Sequence, residues 1–161
     1  MDGRQGDLFG FSVAIDEPTI VVGSRNATHN GLADAGAVYV YDYRSSGIDL
    51  TQKLIAENRA ARALFGQSVA ISGGRLAVGA PYPSSIGSVY LYYQDDGAWE
   101  LSERIVAEDT GIGTNVGIEF GASVAVTVDH LVIGSPANDV AAKNSGSVFF
   151  YDVVEEEQCR K

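Results

Sequence analysis

Short apolar runs, each bounded by Gly, Pro, Asn or Asp, follow one another along the whole chain. The runs are rich in Val, Ile, Tyr and Phe, which is typical of β-strands. Several connections between them have the composition of tight hairpin turns, as in Asp95-Asp96-Gly97. This pattern predicts an all-β protein with little helix.

The same order of runs recurs three times, with a period of about 55 residues. Each copy opens with a Phe-Gly pair followed closely by Ser-Val-Ala, continues to a second run that contains a glycine, and then has a third run that ends in aromatic residues. The first landmark occupies 9–15, 65–71 and 120–126, the second 22–24, 78–81 and 133–136, and the third 36–41, 87–92 and 146–151. Three landmarks repeated in one order indicate a single supersecondary unit in three copies.

Each copy is predicted to form one sheet of four antiparallel strands within a single domain, 1–161. The units lie at about 8–56, 64–107 and 119–154, and segments 49–55 and 98–105 supply the fourth strands of the first two. The third unit is followed by a charged tail at 155–161, so its fourth strand is expected to be missing or much altered. The expected total is eleven strands.

The inner strands of each unit are apolar on both faces. In the second unit Val89 and Leu91 point one way, whereas Tyr90 and Tyr92 point the other, because side chains alternate along a strand. A sheet with two apolar faces must lie between neighbours. Small residues in the first strand and large ones in the third suit a wedge that widens from an axis, which predicts the blades of a β-propeller.

Three blades are too few to close a ring, because closed propellers have about four to eight. The sequence therefore predicts a partial or open propeller with one bare apolar face at each end. Such a chain is expected to belong to a longer propeller, to complete a ring with other chains or to dock on a large assembly. Segment 4–9 resembles the inter-blade segment 61–65, which favours a preceding blade. Self-association, aggregation or dependence on a protein partner is the expected behaviour in isolation.

Charge narrows the range of partners. Asp and Glu outnumber Lys and Arg by 21 to 11, giving a net charge of −10, so nucleic acid and anionic membrane surfaces are disfavoured. No apolar run reaches the roughly 18 residues that span a bilayer, so no membrane insertion is expected. The only cysteine, Cys159, excludes an internal disulfide and a cysteine-based zinc site.

Nothing in the sequence has the pattern of a catalytic site, a cofactor site or a metal site. Ser12, Ser68 and Ser123 recur at one repeat position, which indicates an architectural role. His29 lies in a long loop and His130 in a hairpin, on opposite faces of the predicted fold, so they cannot share a metal ion. We expect a protein that is not an enzyme.

The longer connections are predicted to share one side of the molecule. These run from the second to the third strand of each blade, and from one blade to the next. Polar loops of varied length are a usual place for recognition, although they also tolerate insertion without any function. The candidate contact residues there are Arg25, His29, Arg59, Arg62, Tyr82, Asn138 and Lys143. Tyr82, between two prolines, either anchors a partner or packs on its own loop.

The tripeptide Asn26-Ala27-Thr28 matches an N-glycosylation acceptor in one of these loops. It makes Asn26 a candidate glycosylation site of a secreted protein.

The Phe65-Gly66 pair followed by Gly79-Ala80-Pro81 resembles the FG-GAP repeat, the blade of the integrin α-subunit propeller. The resemblance implies four-stranded propeller blades, an extracellular or cell-surface location, and ligand binding by the loop side. Many such repeats carry a calcium loop between the first two strands, but the corresponding segments here lack the necessary run of oxygen ligands, so no calcium is expected.

Three functions remain open at this point. The first is a non-enzymatic module for protein recognition or adhesion. The second is an accessory structural domain of a larger complex or enzyme whose chemistry lies elsewhere. The third is a glycan-binding module that uses the loop side.

Overall fold

The computed structural model describes residues 3–58, 60–82, 86–107, 118–138 and 145–153. These residues form eleven strands and no helix, which confirms the predicted all-β fold. The strands are β1 (Phe9–Asp16), β2 (Thr19–Ser24), β3 (Ala37–Arg44), β4 (Gly47–Leu54), β5 (Ser68–Ser72), β6 (Arg75–Ala80), β7 (Ser88–Asp95), β8 (Ala98–Ile105), β9 (Ser123–Val126), β10 (His130–Ser135) and β11 (Ser147–Asp152).

The strands form three antiparallel sheets in simple sequential order. Blade 1 comprises β1–β4, blade 2 comprises β5–β8 and blade 3 comprises β9–β11. Short hairpins join the first strand to the second in each blade, and the third to the fourth in blades 1 and 2. A fourth strand of blade 3 would fall at 154–161, outside the described residues.

The blades stack face to face. At each contact, the side of one blade that points to the following blade packs on the side of the next blade that points back. We call the face that points to the preceding blade the leading face, and the opposite one the trailing face. The trailing face of blade 1 contributes Val21, Val38, Val40 and Leu54 to the first core. The leading face of blade 2 completes that core with Val69, Ile71, Leu76, Val78, Tyr90, Tyr92, Trp99 and Leu101. A second core joins blades 2 and 3 in the same way.

In blades 2 and 3 the Phe-Gly pair joins the blade to the one before it. The Phe65 ring is fully buried and packs edge-on against Tyr90 of its own blade, with ring centroids 5.2 Å apart. Gly66 follows with φ +88°, and its carbonyl accepts a hydrogen bond of 2.7 Å from the Ser12 hydroxyl of blade 1. A Cβ at Gly66 would lie 2.8 Å from the carbonyl oxygen of Ala37, so the junction requires glycine.

The same contact recurs between blades 2 and 3. Phe120 is fully buried against Phe149, and the Ser68 hydroxyl donates to the Gly121 carbonyl at 2.8 Å. We call this arrangement of a serine on one blade and a Phe-Gly pair on the next the FG junction. Ser12 and Ser68 therefore have the architectural role that their repeat position predicts.

The sheets do not close into a ring, and both end faces are apolar and exposed. On the leading face of blade 1, Val13 is 67% exposed, and Ile15, Ile48 and Leu50 are exposed as well. On the trailing face of blade 3, Val148 is 73% exposed and Phe150 is 63% exposed. The open arrangement expected from the number of blades is thus present.

Candidate binding face

The β2–β3 and β6–β7 connections and the crossings between blades lie at one end of the strands, and the tight hairpins lie at the other. We call these two ends the loop face and the hairpin face. This division follows from antiparallel order, because a chain that runs up and down a sheet returns to the same end after every second strand. The loop face therefore contains most of the sequence that is free to vary.

Arg25 is fixed on the loop face by contacts on both sides. Its guanidinium carbon lies 3.8 Å from the centre of the Phe11 ring, and its Nη1 donates a hydrogen bond of 2.8 Å to Gln67 of blade 2. Its Nε is buried with no hydrogen-bond partner among the described residues. Arg25 stands where the other two repeats have Pro81 and Pro136, so one blade has an ordered cation in place of a rigid turn.

Tyr82 is ordered by a contact that reaches the next blade. Its hydroxyl donates a hydrogen bond of 2.6 Å to the Glu119 carboxylate, while 42% of the residue remains exposed. That hydrogen bond, and then partial burial, raise the pKa of Tyr82, and the nearby positive charge of Arg25 opposes the rise. We call Arg25, Tyr82 and Glu119 on the loop face the Arg25–Tyr82 cluster.

His29 and Arg62 lie on neighbouring parts of the loop face. The backbone of His29 exchanges two hydrogen bonds with Leu32, of 3.2 and 3.0 Å, which closes a tight turn. Arg62 is exposed, and its amide donates to the carbonyl of Ala33 at 2.9 Å, so the crossing into blade 2 runs beside the long loop of blade 1.

Asn138 occupies a different environment. It is only 4% exposed, and its backbone carbonyl accepts hydrogen bonds from Gly146 N at 2.9 Å and from the Ser145 hydroxyl at 3.3 Å. These contacts close the base of the β10–β11 connection. Two further candidates, Arg59 and Lys143, lie outside the described residues.

Asn26, the candidate glycosylation site, is half-buried, and its backbone N–H donates to the backbone carbonyl of Asp7 at 3.2 Å. Thr28 of the same tripeptide is exposed.

Sequence reasoning did not single out Phe11, Gln67 and Glu119, which hold the cluster. A signal was present in the repeat itself. The residue after the Phe-Gly glycine is Phe11, Gln67 or Ala122, although the residues around it are nearly constant. Glu119 likewise stands where the other copies have leucine. Variation at one position of an otherwise regular repeat marks a side chain that the fold does not need.

Small-molecule and metal sites have little support within the described ranges. A cavity of about 110 Å³ lies at the outer edge between blades 2 and 3, well below the roughly 300–1,000 Å³ of ordinary ligand pockets. Among the described side chains, no group of three or more His, Cys, Asp or Glu could hold a metal ion. The same part of the chain contains no helix long and apolar enough to cross a membrane.

Comparison with known proteins identifies the repeat. The sequence profile of the FG-GAP repeat matches residues 1–41, 49–92 and 99–151. The second and third matches each begin in or near a fourth strand and end in a third strand, so the profile counts the outer strand of one blade with the inner strands of the next. No curated protein matches the chain. Repeats of this kind generally form structural or binding modules and typically occur in extracellular proteins. Since the matches cover most of its length, the chain belongs to the FG-GAP repeat family.

Proposed function

We propose that this chain is a non-enzymatic recognition module of an extracellular or cell-surface protein. Its loop face binds a protein partner, and its two end faces are covered by further polypeptide, either additional blades or another protein. The observation that carries the first part is the Arg25–Tyr82 cluster, in which an arginine and a tyrosine are held in place on the exposed loop face.

Arginine and tyrosine are enriched among the residues that dominate protein–protein binding energy. An anchor that is already ordered before binding loses less conformational entropy in the complex, so the same contact yields more affinity. Arg25 is fixed by Phe11 and Gln67, and Tyr82 by Glu119. The cluster therefore supplies two preorganised anchors on a body whose net charge of −10 repels other acidic surfaces.

Glycan binding is the second candidate, because one feature of the cluster favours it. Tyr82 is an exposed aromatic residue hydrogen-bonded to a carboxylate, and this combination suits a sugar ring with its hydroxyl groups. An accessory structural role, the third candidate, would use the end faces alone and would leave the loop face without a ligand.

An array of extracellular protein domains and glycans, probed with the labelled full chain, tests the proposal. We expect a protein ligand that Arg25→Ala and Tyr82→Ala each weaken roughly 30-fold, as loss of a hot-spot residue does. Asp95→Asn, at the exposed end of β7 on the hairpin face, is the matched control and should bind as the unaltered chain does.

Three results separate the alternatives. Signals confined to glycans, and lost with Tyr82→Ala, would replace the protein ligand by a sugar. Equal loss in the Asp95→Asn control would show that binding does not use the loop face. Binding that both loop-face variants retain would contradict the proposal.

A further inference from the structure

Arg25 is an ordered cation that forms no ion pair within the described part of the chain. Its Nη1 donates to the side-chain oxygen of Gln67, which has no net charge, and its guanidinium lies over the Phe11 ring. The ring contact fixes the plane of the guanidinium, so the remaining donors of Arg25 have a fixed direction.

Some donors of Arg25 are unused. Its Nε is buried with no hydrogen-bond partner among the described residues. Its second terminal nitrogen, Nη2, donates to no described residue and, unlike Nε, reaches solvent. A buried charged group without its hydrogen bonds is costly and requires an explanation in a folded protein. Because the positive charge is delocalised over the guanidinium, a carboxylate at the terminal nitrogens would compensate for the whole group.

The fold does not account for Arg25. The same position is Pro81 in the second repeat and Pro136 in the third, and the strands of those blades pair in the same way as β1 and β2 do. The architecture therefore does not use an arginine here. A side chain that the fold does not need, yet holds in place on a loop face, indicates a ligand.

Two acidic residues of the loop face are engaged by other groups. Asp7 is buried, and its Oδ2 accepts a hydrogen bond of 2.8 Å from the backbone N–H of Arg4. The Glu119 carboxylate accepts the hydrogen bond of the Tyr82 hydroxyl. Neither carboxylate is therefore free to neutralise Arg25.

Much of the negative charge of the molecule lies at the hairpin face. The acidic residues at or beside the tight hairpins are Asp16, Glu17, Asp42, Asp95, Asp96, Asp129 and Asp152. The described arginines there are Arg44 and Arg75, and Arg44 is paired with Asp42. A ligand carboxylate is thus repelled less at the loop face, above all when it belongs to an otherwise neutral or basic segment.

We infer that the loop face binds a protein partner through one aspartate or glutamate of the partner, whose carboxylate contacts the Arg25 guanidinium. An apolar side chain next to that carboxylate covers the exposed part of Phe11, which is 44% exposed. This inference rests on the proposed function and deepens it, because it names the chemical group that the recognised protein presents.

A protein segment fits this surface better than a free anion does. Phe11 and Tyr82 both expose aromatic surface on the loop face, and only a ligand with apolar groups beside its carboxylate contacts such surface. Since Phe11 and Gln67 already hold the guanidinium, little conformational entropy of Arg25 is lost on binding.

Selection from a phage-displayed library of random linear peptides on the full chain tests the inference. We expect the selected sequences to share an aspartate or glutamate next to an apolar residue. One selected peptide is then synthesised both as it stands and with the acid replaced by its amide. The unaltered chain should bind the amide form roughly 30-fold more weakly, as loss of a charge-assisted contact does.

Arg25→Ala supplies the other half of a double-mutant cycle. This variant should bind the acidic peptide about as weakly as the unaltered chain binds the amide form, and the amide replacement should then cost little more. Arg25→Lys keeps the charge but lacks the planar set of donors, so it should recover only part of the affinity. Arg44→Ala, which removes one positive charge from the hairpin face, is the matched control and should bind both peptides as the unaltered chain does.

Several results would overturn the inference. Selected peptides without a shared carboxylate, or no selected peptide at all, would contradict it. An amide replacement that costs as much in Arg25→Ala as in the unaltered chain would show that the carboxylate contacts another group. Binding that depends on Arg25 but is confined to sialylated or sulfated glycans would assign the anion to a sugar.

Failure of the proposed function has a different signature. It appears on the array of folded protein domains, as binding that both Arg25→Ala and Tyr82→Ala retain. A protein ligand that these variants weaken, together with peptides that lack a shared carboxylate, would mean that only the inference about Arg25 was wrong.

Discussion

The leading faces of blades 1 and 2 are built from the same repeat positions, yet one is surface and the other is core. Phe9 is 48% exposed and its counterpart Phe65 is fully buried, although each packs edge-on against an aromatic residue of its own blade at nearly the same distance. Ile48 is exposed, whereas Trp99 at the same position is buried. Blade 2 is covered on that side by blade 1, whereas the leading face of blade 1 has no neighbour among the described residues.

The contacts of the two blades fall into those that form within a single blade and those that need a neighbouring blade. Strand pairing and the aromatic contact form within a single blade. Burial of the Phe-Gly phenylalanine and the serine hydrogen bond form only between blades. Stability is therefore expected to come largely from the contacts between blades, as in other repeat proteins. Matched substitutions at equivalent positions test this, each measured at a dilution where the chain is monomeric.

The largest expected difference is between the phenylalanines. Phe65→Ala should lower the free energy of unfolding by about 3–5 kcal/mol, because it empties a fully buried site. Phe9→Ala should cost only about 1 kcal/mol, since about half of that residue's surface is already exposed to water. Urea titration measures both, and equal losses would contradict the comparison.

The second largest difference in stability is expected between the glycines of the second strands in blades 2 and 3. A Cβ at Gly79 would collide with the carbonyl oxygen of Gly121 in the next blade, and backbone cannot move aside easily. We expect Gly79→Ala to cost about 1–3 kcal/mol, as overpacking does. Gly134→Ala would meet only Ser123, whose exposed hydroxyl can rotate, so a much smaller loss is expected in the same titration. A Gly134→Ala loss as large as that of Gly79→Ala would mean that contact between blades is not what restricts this position.

The serines provide a smaller test. Ser68→Ala leaves the Gly121 carbonyl without its donor and should cost about 1 kcal/mol. Ser123→Ala removes an exposed hydroxyl and should leave the melting temperature of the monomer unchanged. If Ser68→Ala were also silent in thermal melts, the FG junction would not depend on its hydrogen bond.

The smallest effect at neutral pH concerns Tyr92, which lies in the first core. Burial, and then the electrostatic influence of Tyr90 and Glu57, raise its pKa well above the ordinary value of 10.0. A raised folded-state pKa means that the neutral phenol is favoured in the folded protein, so its contribution is fully present below pH 10 and is lost as the pH rises further. Tyr92→Phe should match the unaltered chain at pH 7 and lose less stability at alkaline pH. Identical alkaline profiles would contradict this.

Most of the fold could be predicted from sequence because the same pattern of strands and turns occurs three times in the chain. Strand positions, blade order and the exposure of both end faces follow from apolar side chains that alternate to two sides of each sheet. The sequence predicts that both faces of β7 are buried, because Val89 and Leu91 alternate with Tyr90 and Tyr92. The structure confirms this prediction, since the two tyrosines lie in the first core and the two aliphatic residues in the second.

The contacts of the loop face could not be predicted in the same way. The hydrogen bond from Tyr82 to Glu119 joins residues far apart in sequence. It depends on the position of the β6–β7 connection relative to blade 3. The residue before each Phe-Gly pair has a positive φ, at Leu8, Leu64 and Glu119. Leucine and glutamate rarely adopt this conformation, so the sequence does not predict it. Polarity and position made Asn138 a candidate contact residue, but the structure shows that it is buried at the base of its loop.

Amide hydrogen exchange on the full chain in dilute solution tests most directly whether the end faces are blade contacts without a neighbour. Strands β1 and β5 each pair with one neighbouring strand and differ mainly in whether a blade covers their leading side. We expect β5 to be protected, and β1 and β11 to exchange faster, in a dilute, monomeric sample. Protection of β1 equal to that of β5 in a dilute, monomeric sample would contradict it.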